Sequence, residues 1–198
     1  MLFHTDLISL VKLTGYFGLI SIVFAESGLF FGFFLPGDSL LFTAGFLASQ
    51  GYLNIGLVVL FCFVAAVIGD TFGYAFGHHL GPMIFKKSDS LFFHKNHLVR
   101  AEDFYKKYGK KTLILARFVP VVRTFAPILA GVGRMSYLTF ISFNVIGGFL
   151  WAVGLPLVGY YLGATVPNVD HYLLPIVVGI IVVSFLPVVY ELLKARKK

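Results

Sequence analysis

The stretch ARFVPVVRTFAPILAG, residues 116–131, decides how this chain can fold. Arg117 and Arg123 lie there in an otherwise apolar run, which Pro120 and Pro127 interrupt. An internal proline removes a backbone donor and clashes with the preceding turn, so the two prolines leave little of a continuous helix. Irregular backbone at membrane depth is tolerated only inside protein or beside a watery cavity. We therefore expect both arginines to face a protein interior, on either side of the break at Pro120.

The composition of the whole chain indicates that it lies in a lipid bilayer. Hydrophobic residues are 58% of the 198 residues, charged residues are 13%, and the mean hydropathy is +0.88. A soluble domain of this length could not bury so much apolar surface, so one all-α polytopic membrane domain is predicted over residues 1–198. Cys62 is the only cysteine, which excludes an internal disulfide. The first residues lack a basic region followed by a cleavage site, which predicts that the first helix is retained.

The basic residues behind the net charge of +7 are concentrated in two segments. Eight of the 16 Lys and Arg residues fall within 86–111, and four more close the chain at 194–198. Such clusters mark cytoplasmic segments that face anionic lipids. We therefore place loop 81–111, with an amphipathic helix around 97–108, and the C-terminus in the cytoplasm, with anionic lipids as partners. No nucleic-acid partner is expected, because these residues follow membrane topology.

Three segments are long and apolar enough to span a bilayer, at about 20 residues per crossing. They are residues 53–80, 136–163 and 172–193. The last two take the chain out and back, so a further crossing at 112–134 would leave the basic C-terminus on the wrong side. Residues 112–134 are therefore predicted to enter and leave on the cytoplasmic side, as a re-entrant hairpin.

A second apolar run, residues 15–50, is also interrupted by a break in its middle. It breaks at Leu35-Pro36-Gly37-Asp38, where Pro36-Gly37 is a strong turn signal. The part that follows, residues 39–50, is too short to span alone. Residues 15–50 are predicted to form another re-entrant hairpin. Its first arm could also be a full span, which leaves the side of the N-terminus open.

Short matches at a constant offset indicate an internal duplication. The offset is 86 residues for two motifs, and the turn prolines Pro36 and Pro120 lie 84 apart. The motifs are Ala44-Gly45 with Ala130-Gly131, and Gly73-Tyr74-x-x-Gly77 with Gly159-Tyr160-x-x-Gly163. Each half then holds a hairpin followed by a spanning helix. If the hairpins enter from opposite sides, the halves form an inverted repeat, as in many secondary transporters.

Charged residues at membrane depth are the candidate functional residues. Glu26 and Asp38 lie in the first hairpin, and Arg117 and Arg123 lie in the second. Each charge costs about 2.5–3.5 kcal/mol at the bilayer centre, so opposite charges on facing hairpins are expected to compensate each other. Asp70, in the following span, either completes the same cavity or lies near the cytoplasmic interface.

Two roles for these charges stay open. They form structural salt bridges that hold the hairpins together, or they bind and move a substrate. In the second case the planar guanidinium of each arginine matches phosphate oxygens, and the acids, which hold protons more readily in a cavity, exchange protons.

Other notable residues favour structural roles. Gly69, Gly73 and Gly77 lie four apart on one helix face, where small residues let helices approach closely. Neither His78-His79 nor His94-x-x-His97 is a convincing metal site, so no metal and no cofactor is expected.

Asn144 and Trp151 are assigned to packing and hydrogen bonding, with Asn144 and Gly131 as secondary site residues. The chain contains no GxSxG, HExxH, Walker A or GxGxxG motif, so no enzymatic activity is expected. Glycine-rich faces could pack within one chain or between two, which leaves a homo-oligomer open.

The sequence resembles the DedA family, the bacterial branch of the superfamily with a SNARE-associated or VTT domain, over about residues 15–165. The shared segments are ESGLFFGFFLPGD at 26–38, GDTFGYAFG at 69–77, ARFVPVVRTFAPILAG at 116–131, NVIGGFLW at 144–151 and GYYLG at 159–163. The most diagnostic is residues 116–131.

This resemblance implies lipid translocation in the bacterial inner membrane. Family members are associated with flipping undecaprenyl phosphate or phospholipids such as phosphatidylethanolamine, and with dependence on the proton motive force. Functional roles are implied for the acids at Glu26 and Asp38 and for Arg117 and Arg123. We therefore predict a flippase that recycles undecaprenyl phosphate, with protons as partners. The alternatives are a phosphatidylethanolamine flippase or scramblase, a proton-coupled ion or small-solute antiporter, and a non-transporting scaffold.

Overall fold

The computed structural model describes residues 2–30, 32, 35–84, 112–117 and 120–165, with single helical positions at 175 and 179. The regular structure of these residues is helical, which confirms the all-α prediction for this part of the chain. The helices are α1 (Leu2–Gly28), α2 (Gly37–Ser49), α3 (Ile55–Ile84), α4 (Thr112–Ala116), α5 (Pro120–Val132) and α6 (Tyr137–Thr165). The predicted amphipathic helix around 97–108 and the span 172–193 lie outside the described residues, apart from positions 175 and 179.

Two helices are long and apolar enough to cross a membrane, judged by length and composition. They are Ile55–His79 within α3, with a mean hydropathy of 2.4, and Tyr137–Thr165, with 1.8. At 1.5 Å per residue each exceeds the hydrocarbon thickness of about 30 Å. The helix α3 is described to Ile84, and its candidate span ends at His79, one residue before the predicted bound at residue 80.

The helices α2 and α5 are too short to span. Each has 13 residues, or about 20 Å. The helix α2 is buried at nearly every position from Gly37 to Ala48, which places it inside the protein rather than against lipid.

The prediction that Pro120 and Pro127 leave little continuous helix was only half right. The chain does break between Ala116, the last residue of α4, and Pro120, the first residue of α5. At the first position of a helix a proline costs nothing, because its missing N–H would have no partner there. The helix α5 then continues through Pro127. Its ring has room on the α3 side, since a Cβ built on Gly73 would still lie 3.5 Å from Pro127 Cβ.

Glycines make the closest helix crossings. The helix α2 packs on α6, and α5 packs on α3. At four crossings an added Cβ would overlap a carbonyl oxygen of the partner helix. These are Gly45 against Pro156, Gly159 against Phe42, Gly131 against Tyr74, and Gly77 against Ile128. Each short helix thus packs on the long helix from the other half of the chain, and the glycines of the recurring motifs lie at these crossings.

One further break shapes the N-terminal helix. Gly15 interrupts α1 with φ +55° and ψ −143°, a conformation that side-chain-bearing residues rarely adopt. Residues 16–28 therefore run in a different direction from the start of the helix and lead to Glu26. The same part of α1 buries Leu19 and Val23 in a core with α2, α3 and α6.

Candidate functional site

Arg123 lies between two carboxylates that come from different helices. Its Nη2 forms an ion pair with Glu26 Oε1 of α1, and its Nη1 donates to Asp38 Oδ1 of α2 at 2.6 Å. Glu26 has no exposed surface and Arg123 is 6% exposed, whereas 18% of the Asp38 side chain remains accessible. Asp38 is therefore the more open edge of this cluster.

Trp151 of α6 completes the Arg123 cluster. Its Nε1 donates to Asp38 Oδ1 at 2.7 Å, and its ring lies 4.7 Å from the Arg123 guanidinium carbon, within cation–π range. From the sequence, Trp151 was expected to pack and to form hydrogen bonds, but its acceptor was not identified. The available signal was that a buried indole N–H requires an acceptor, and acceptors are scarce in an apolar chain.

The Glu26 carboxylate occupies the space that a side chain at Gly37, the first residue of α2, would fill. A Cβ on Gly37 would overlap Glu26 Oε2, so this position accepts no side chain while Glu26 keeps its place. Pro36 precedes it, exposed, and its carbonyl accepts a hydrogen bond from Ser39 Oγ at 2.9 Å. Among the described residues, Glu26 Oε2 and Arg123 Nε have no hydrogen-bond partner. This cluster therefore retains unused capacity for a proton or a ligand.

A second buried cluster forms around Arg117, which follows α4 in a turn. Its Nη2 donates to Asp70 Oδ2 of α3 and to Asn144 Oδ1 of α6. Asn144 Nδ2 in turn donates to the Val67 carbonyl at 3.1 Å, which fixes the amide orientation. Arg117, Asp70 and Asn144 are 4%, 6% and 3% exposed. Asp70 is thus buried against Arg117, in a cluster separate from that of Glu26 and Asp38.

One face of α6 serves both clusters. Asn144 and Trp151 are seven residues apart, so they share a face at about 10 Å separation. Gly147 and Gly148 lie between them and make room for Arg117. A Cβ on Gly147 would lie 3.0 Å from Arg117 Cδ, and one on Gly148 would lie 3.5 Å from Arg117 Nη2.

The two clusters are separate because the chain breaks before α5. Arg117 lies before the break and Arg123 lies in the first turn of α5, so the arginines meet different acids. Both clusters join the N-terminal half of the chain to the C-terminal half. Gly131 belongs to neither, since it contacts the Tyr74 carbonyl at the crossing of α5 and α3.

The predicted charges therefore form two networks rather than one. Within the described residues, the networks hold three carboxylates, Glu26, Asp38 and Asp70, and two guanidiniums, so this set carries an excess negative charge when fully ionised. No group of three or more His, Cys, Asp or Glu side chains within the described residues could hold a metal ion.

Known proteins place these residues in a family. The VTT domain family matches residues 35–161, which include every member of the two clusters except Glu26. The protein DedA of Escherichia coli strain K12 is 44% identical over 202 aligned positions, which cover 98% of this chain and 91% of that protein. The chain belongs to the DedA family. The alignment with DedA covers nearly the whole chain, beyond the part that the VTT match includes.

Other DedA-family relatives are named as membrane proteins. An uncharacterised membrane protein of Mycobacterium leprae is 45% identical over 166 residues, which cover 84% of this chain and 74% of the relative. The inner membrane protein YqjA of Escherichia coli K12 is 35% identical over 150 residues, which cover 76% and 68%. No solved structure matches the chain. With the two apolar helices, these relatives identify a DedA-family membrane protein.

Proposed function

We propose that this protein moves a lipid with an anionic phosphate head group across the bacterial inner membrane, with protons as the coupled ion. Undecaprenyl phosphate, carried from the outer to the inner leaflet, is the substrate that we favour. The observation that carries this proposal is the pair of buried arginines, Arg117 and Arg123, each held by carboxylates from the other half of the chain. Neither position serves to anchor the protein at a membrane surface.

Arg123 already displays the geometry that a phosphate requires. Two of its nitrogens, Nη1 and Nη2, each meet a carboxylate oxygen, and two oxygens of one phosphate group would fit the same planar fork. A lipid phosphate could thus replace Glu26 and Asp38 at the guanidinium. The buried acids would then hold the site closed until substrate arrives.

The excess carboxylate explains why protons would accompany the lipid. A buried anion without a counter-charge is costly, and binding of a proton relieves that cost. When phosphate takes their place at Arg123, Glu26 and Asp38 lose their cation and gain protons. Lipid and protons would then move inward together, in the direction of the proton motive force. Glu26, Asp38 and Asp70 are the proposed proton carriers, and Arg117 and Arg123 are the proposed phosphate-binding residues.

The proposed architecture is an inverted repeat with two re-entrant hairpins, 15–50 and 112–134. Two observations support it. The short helices α2 and α5 have equal length and are too short to span. In addition, each packs on the long helix of the opposite half through glycines of the recurring motifs. Loop 81–111 and the C-terminus are proposed to be cytoplasmic, from their basic residues.

Reconstituted transport tests this function. Labelled undecaprenyl phosphate and phosphatidylethanolamine are placed in proteoliposomes with an imposed pH gradient, and movement between leaflets is followed. We expect gradient-dependent movement of undecaprenyl phosphate that Arg123→Lys abolishes, because an ammonium group cannot form the planar fork. Arg134→Lys, at an exposed arginine, is the matched control and should transport normally. Absence of movement of either lipid by the folded wild type would refute the proposal.

A second candidate function is favoured by the same excess carboxylate. A monovalent cation could neutralise Glu26 and Asp38 in place of a proton, as in a proton-coupled cation antiporter. Such a protein would acidify or alkalinise empty vesicles on addition of the cation, without any labelled lipid. Cation-driven proton movement that persists when lipid movement is absent would favour this function over the first.

A further inference from the structure

A cavity of about 360 Å³ lies at the kink of α1, away from both ion-pair clusters. It is bounded by the kink, the C-terminal part of α2 and the connection to α3. Its lining residues are Val11, Lys12, Gly15, Tyr16, Leu47, Tyr52 and Leu53. The backbone of Gly15, with φ +55°, redirects α1 at this point and leaves open space where a side chain would project.

The lining combines one cation with two phenols over an apolar floor. Lys12 Nζ lies 3.9 Å from the centre of the Tyr52 ring, and both residues are exposed at the rim. Tyr16 OH accepts a hydrogen bond from the Asn54 N–H at 2.8 Å, which leaves the hydroxyl proton available for another acceptor. The floor includes Leu47, which is 2% exposed. The lining residues that the structure describes carry one cation and no acid, and this charge is complementary to an anion.

The surroundings of the cavity are typical of a membrane interface. Tyrosines are enriched where lipid head groups meet hydrocarbon, and Lys side chains extend to that level. Leu13 and Phe17, beside the cavity on α1, are 87% and 79% exposed, as lipid-facing residues would be. The cavity lies at the start of α3, whereas the basic loop follows the other end of that helix. It therefore faces the leaflet opposite the basic loop.

The cavity lies at the kink of α1 and the C-terminal part of α2, whereas the Arg123 cluster meets the C-terminal end of α1 and the first turn of α2. Along α2, Leu47 is nine residues from Asp38, or about 13 Å. Along α1, Tyr16 is ten residues from Glu26, or about 15 Å. A head group at Lys12 would thus be held at the membrane surface, with the buried carboxylates at greater depth.

We propose that this cavity binds the phosphate head group of an anionic lipid from the outer leaflet. Lys12 supplies the charge, the tyrosine hydroxyls donate to phosphate oxygens, and the apolar floor takes the start of the hydrocarbon chain. Free phosphate would gain nothing from that floor, which favours a lipid as occupant. As the position where the transported lipid is first held, the cavity rests on the proposed function, but its binding can be measured without transport.

Photolabelling in nanodiscs tests the cavity directly. The probe is phosphatidic acid with a diazirine near its glycerol, in a phosphatidylcholine bilayer, and labelled positions are mapped by mass spectrometry. We expect labelling within residues 11–17 and 47–53. Lys12→Gln should lower it at least fivefold, whereas Lys12→Arg and the control Arg134→Gln should change it less than twofold. Leu47→Phe, which fills the floor and keeps the charge, should also lower it.

Three results would overturn the inference. They are labelling that Lys12→Gln leaves unchanged, equal labelling by the corresponding phosphatidylcholine probe, and loss of labelling when inorganic phosphate is added at equal pH and ionic strength. The first result beside Arg123-dependent transport would remove the cavity site and leave the proposed function intact. Conversely, Lys12-dependent labelling in a protein that transports no lipid would keep the site and remove the function.

Discussion

Trp151 Nε1 and Arg123 Nη1 donate to the same oxygen, Asp38 Oδ1, at 2.7 and 2.6 Å. The indole ring also lies 4.7 Å from the guanidinium carbon. Trp151 therefore orients both members of the Arg123–Asp38 ion pair, one through a hydrogen bond and the other through its ring face. Because Asp38 is the most accessible member of its cluster, its orientation decides how a ligand meets Arg123.

The variant Trp151→Phe should separate the contribution of the indole hydrogen bond from that of the aromatic ring. The substitution removes the N–H donor to a charged acceptor, at a cost of about 1.5–3 kcal/mol, and keeps an aromatic face for Arg123. We expect a folded protein with transport lowered several-fold. Unfolding in detergent and transport in proteoliposomes measure the two effects. Phe140, a buried aromatic of the same helix outside the cluster, provides the control Phe140→Leu. If Trp151→Phe transports as well as the wild type, the orienting role is wrong.

Removal of one partner of the ion pair between Asp70 and Arg117 should destabilise the fold. Asp70→Asn leaves a buried guanidinium without its carboxylate, which costs about 3–5 kcal/mol. The double variant Asp70→Asn with Arg117→Gln removes both charges and should recover part of the stability without recovering transport. A double-mutant cycle on detergent unfolding isolates the pair energy. Additive effects of the two substitutions would show that the residues do not depend on each other.

The glycine pair of α6 should control the position of Arg117. A Cβ on Gly147 would lie 3.0 Å from Arg117 Cδ, so Gly147→Ala displaces a flexible side chain rather than the backbone. We expect a stable protein with reduced transport. Gly154→Ala on the same helix is the matched control, since no atom lies within 4 Å of its added Cβ. Equal transport by the two alanine variants would contradict this assignment.

Much of this site could be predicted from sequence, because charge in an apolar chain is costly and therefore conspicuous. Glu26, Asp38, Arg117 and Arg123 were all selected on that ground, and Pro120 correctly marked the break between the arginines. The partners could not be assigned, because they depend on how α5 rotates against α1 and α2. A hydrogen bond from Trp151 was expected, because a buried indole N–H needs an acceptor, but the sequence does not show that this acceptor is Asp38.

The errors in the fold prediction also arise from contacts between helices, which the sequence does not show. Helix α5 continues through Pro127 because tertiary packing against α3 outweighs the local cost of the proline. The candidate span of α3, Ile55–His79, ends within one residue of the predicted bound at residue 80, although the helix itself is described to Ile84. Local signals thus located the breaks at Pro36 and Pro120, whereas the kink at Gly15 was not predicted and the continuation of α5 depended on a neighbouring helix.

Glycines at equivalent positions of the two halves should be equally sensitive. A Cβ on Gly45 would overlap the Pro156 carbonyl, and one on Gly131 would overlap the Tyr74 carbonyl. Backbone cannot move aside cheaply, so Gly45→Ala and Gly131→Ala should each destabilise the protein by about 1–3 kcal/mol. In contrast, Gly154→Ala should stabilise it by up to about 1 kcal/mol through helix propensity. Thermal unfolding in detergent measures all three. Loss of stability at only one of the two glycines would argue against equivalent crossings.

Proton uptake should accompany lipid binding, because three carboxylates share two guanidiniums within the described residues. When a phosphate replaces the carboxylates at Arg123, the fully buried Glu26 must gain a proton to stay buried. We expect a short-chain polyprenyl phosphate to bind with uptake of about one proton or more at pH 7. Calorimetry in two buffers of different ionisation enthalpy measures this number. Glu26→Gln should lower it by about one, and Asp89→Asn, in the basic loop, should leave it unchanged. A binding heat that is independent of the buffer would mean that the carboxylates keep their charge, and the lipid would then move without protons.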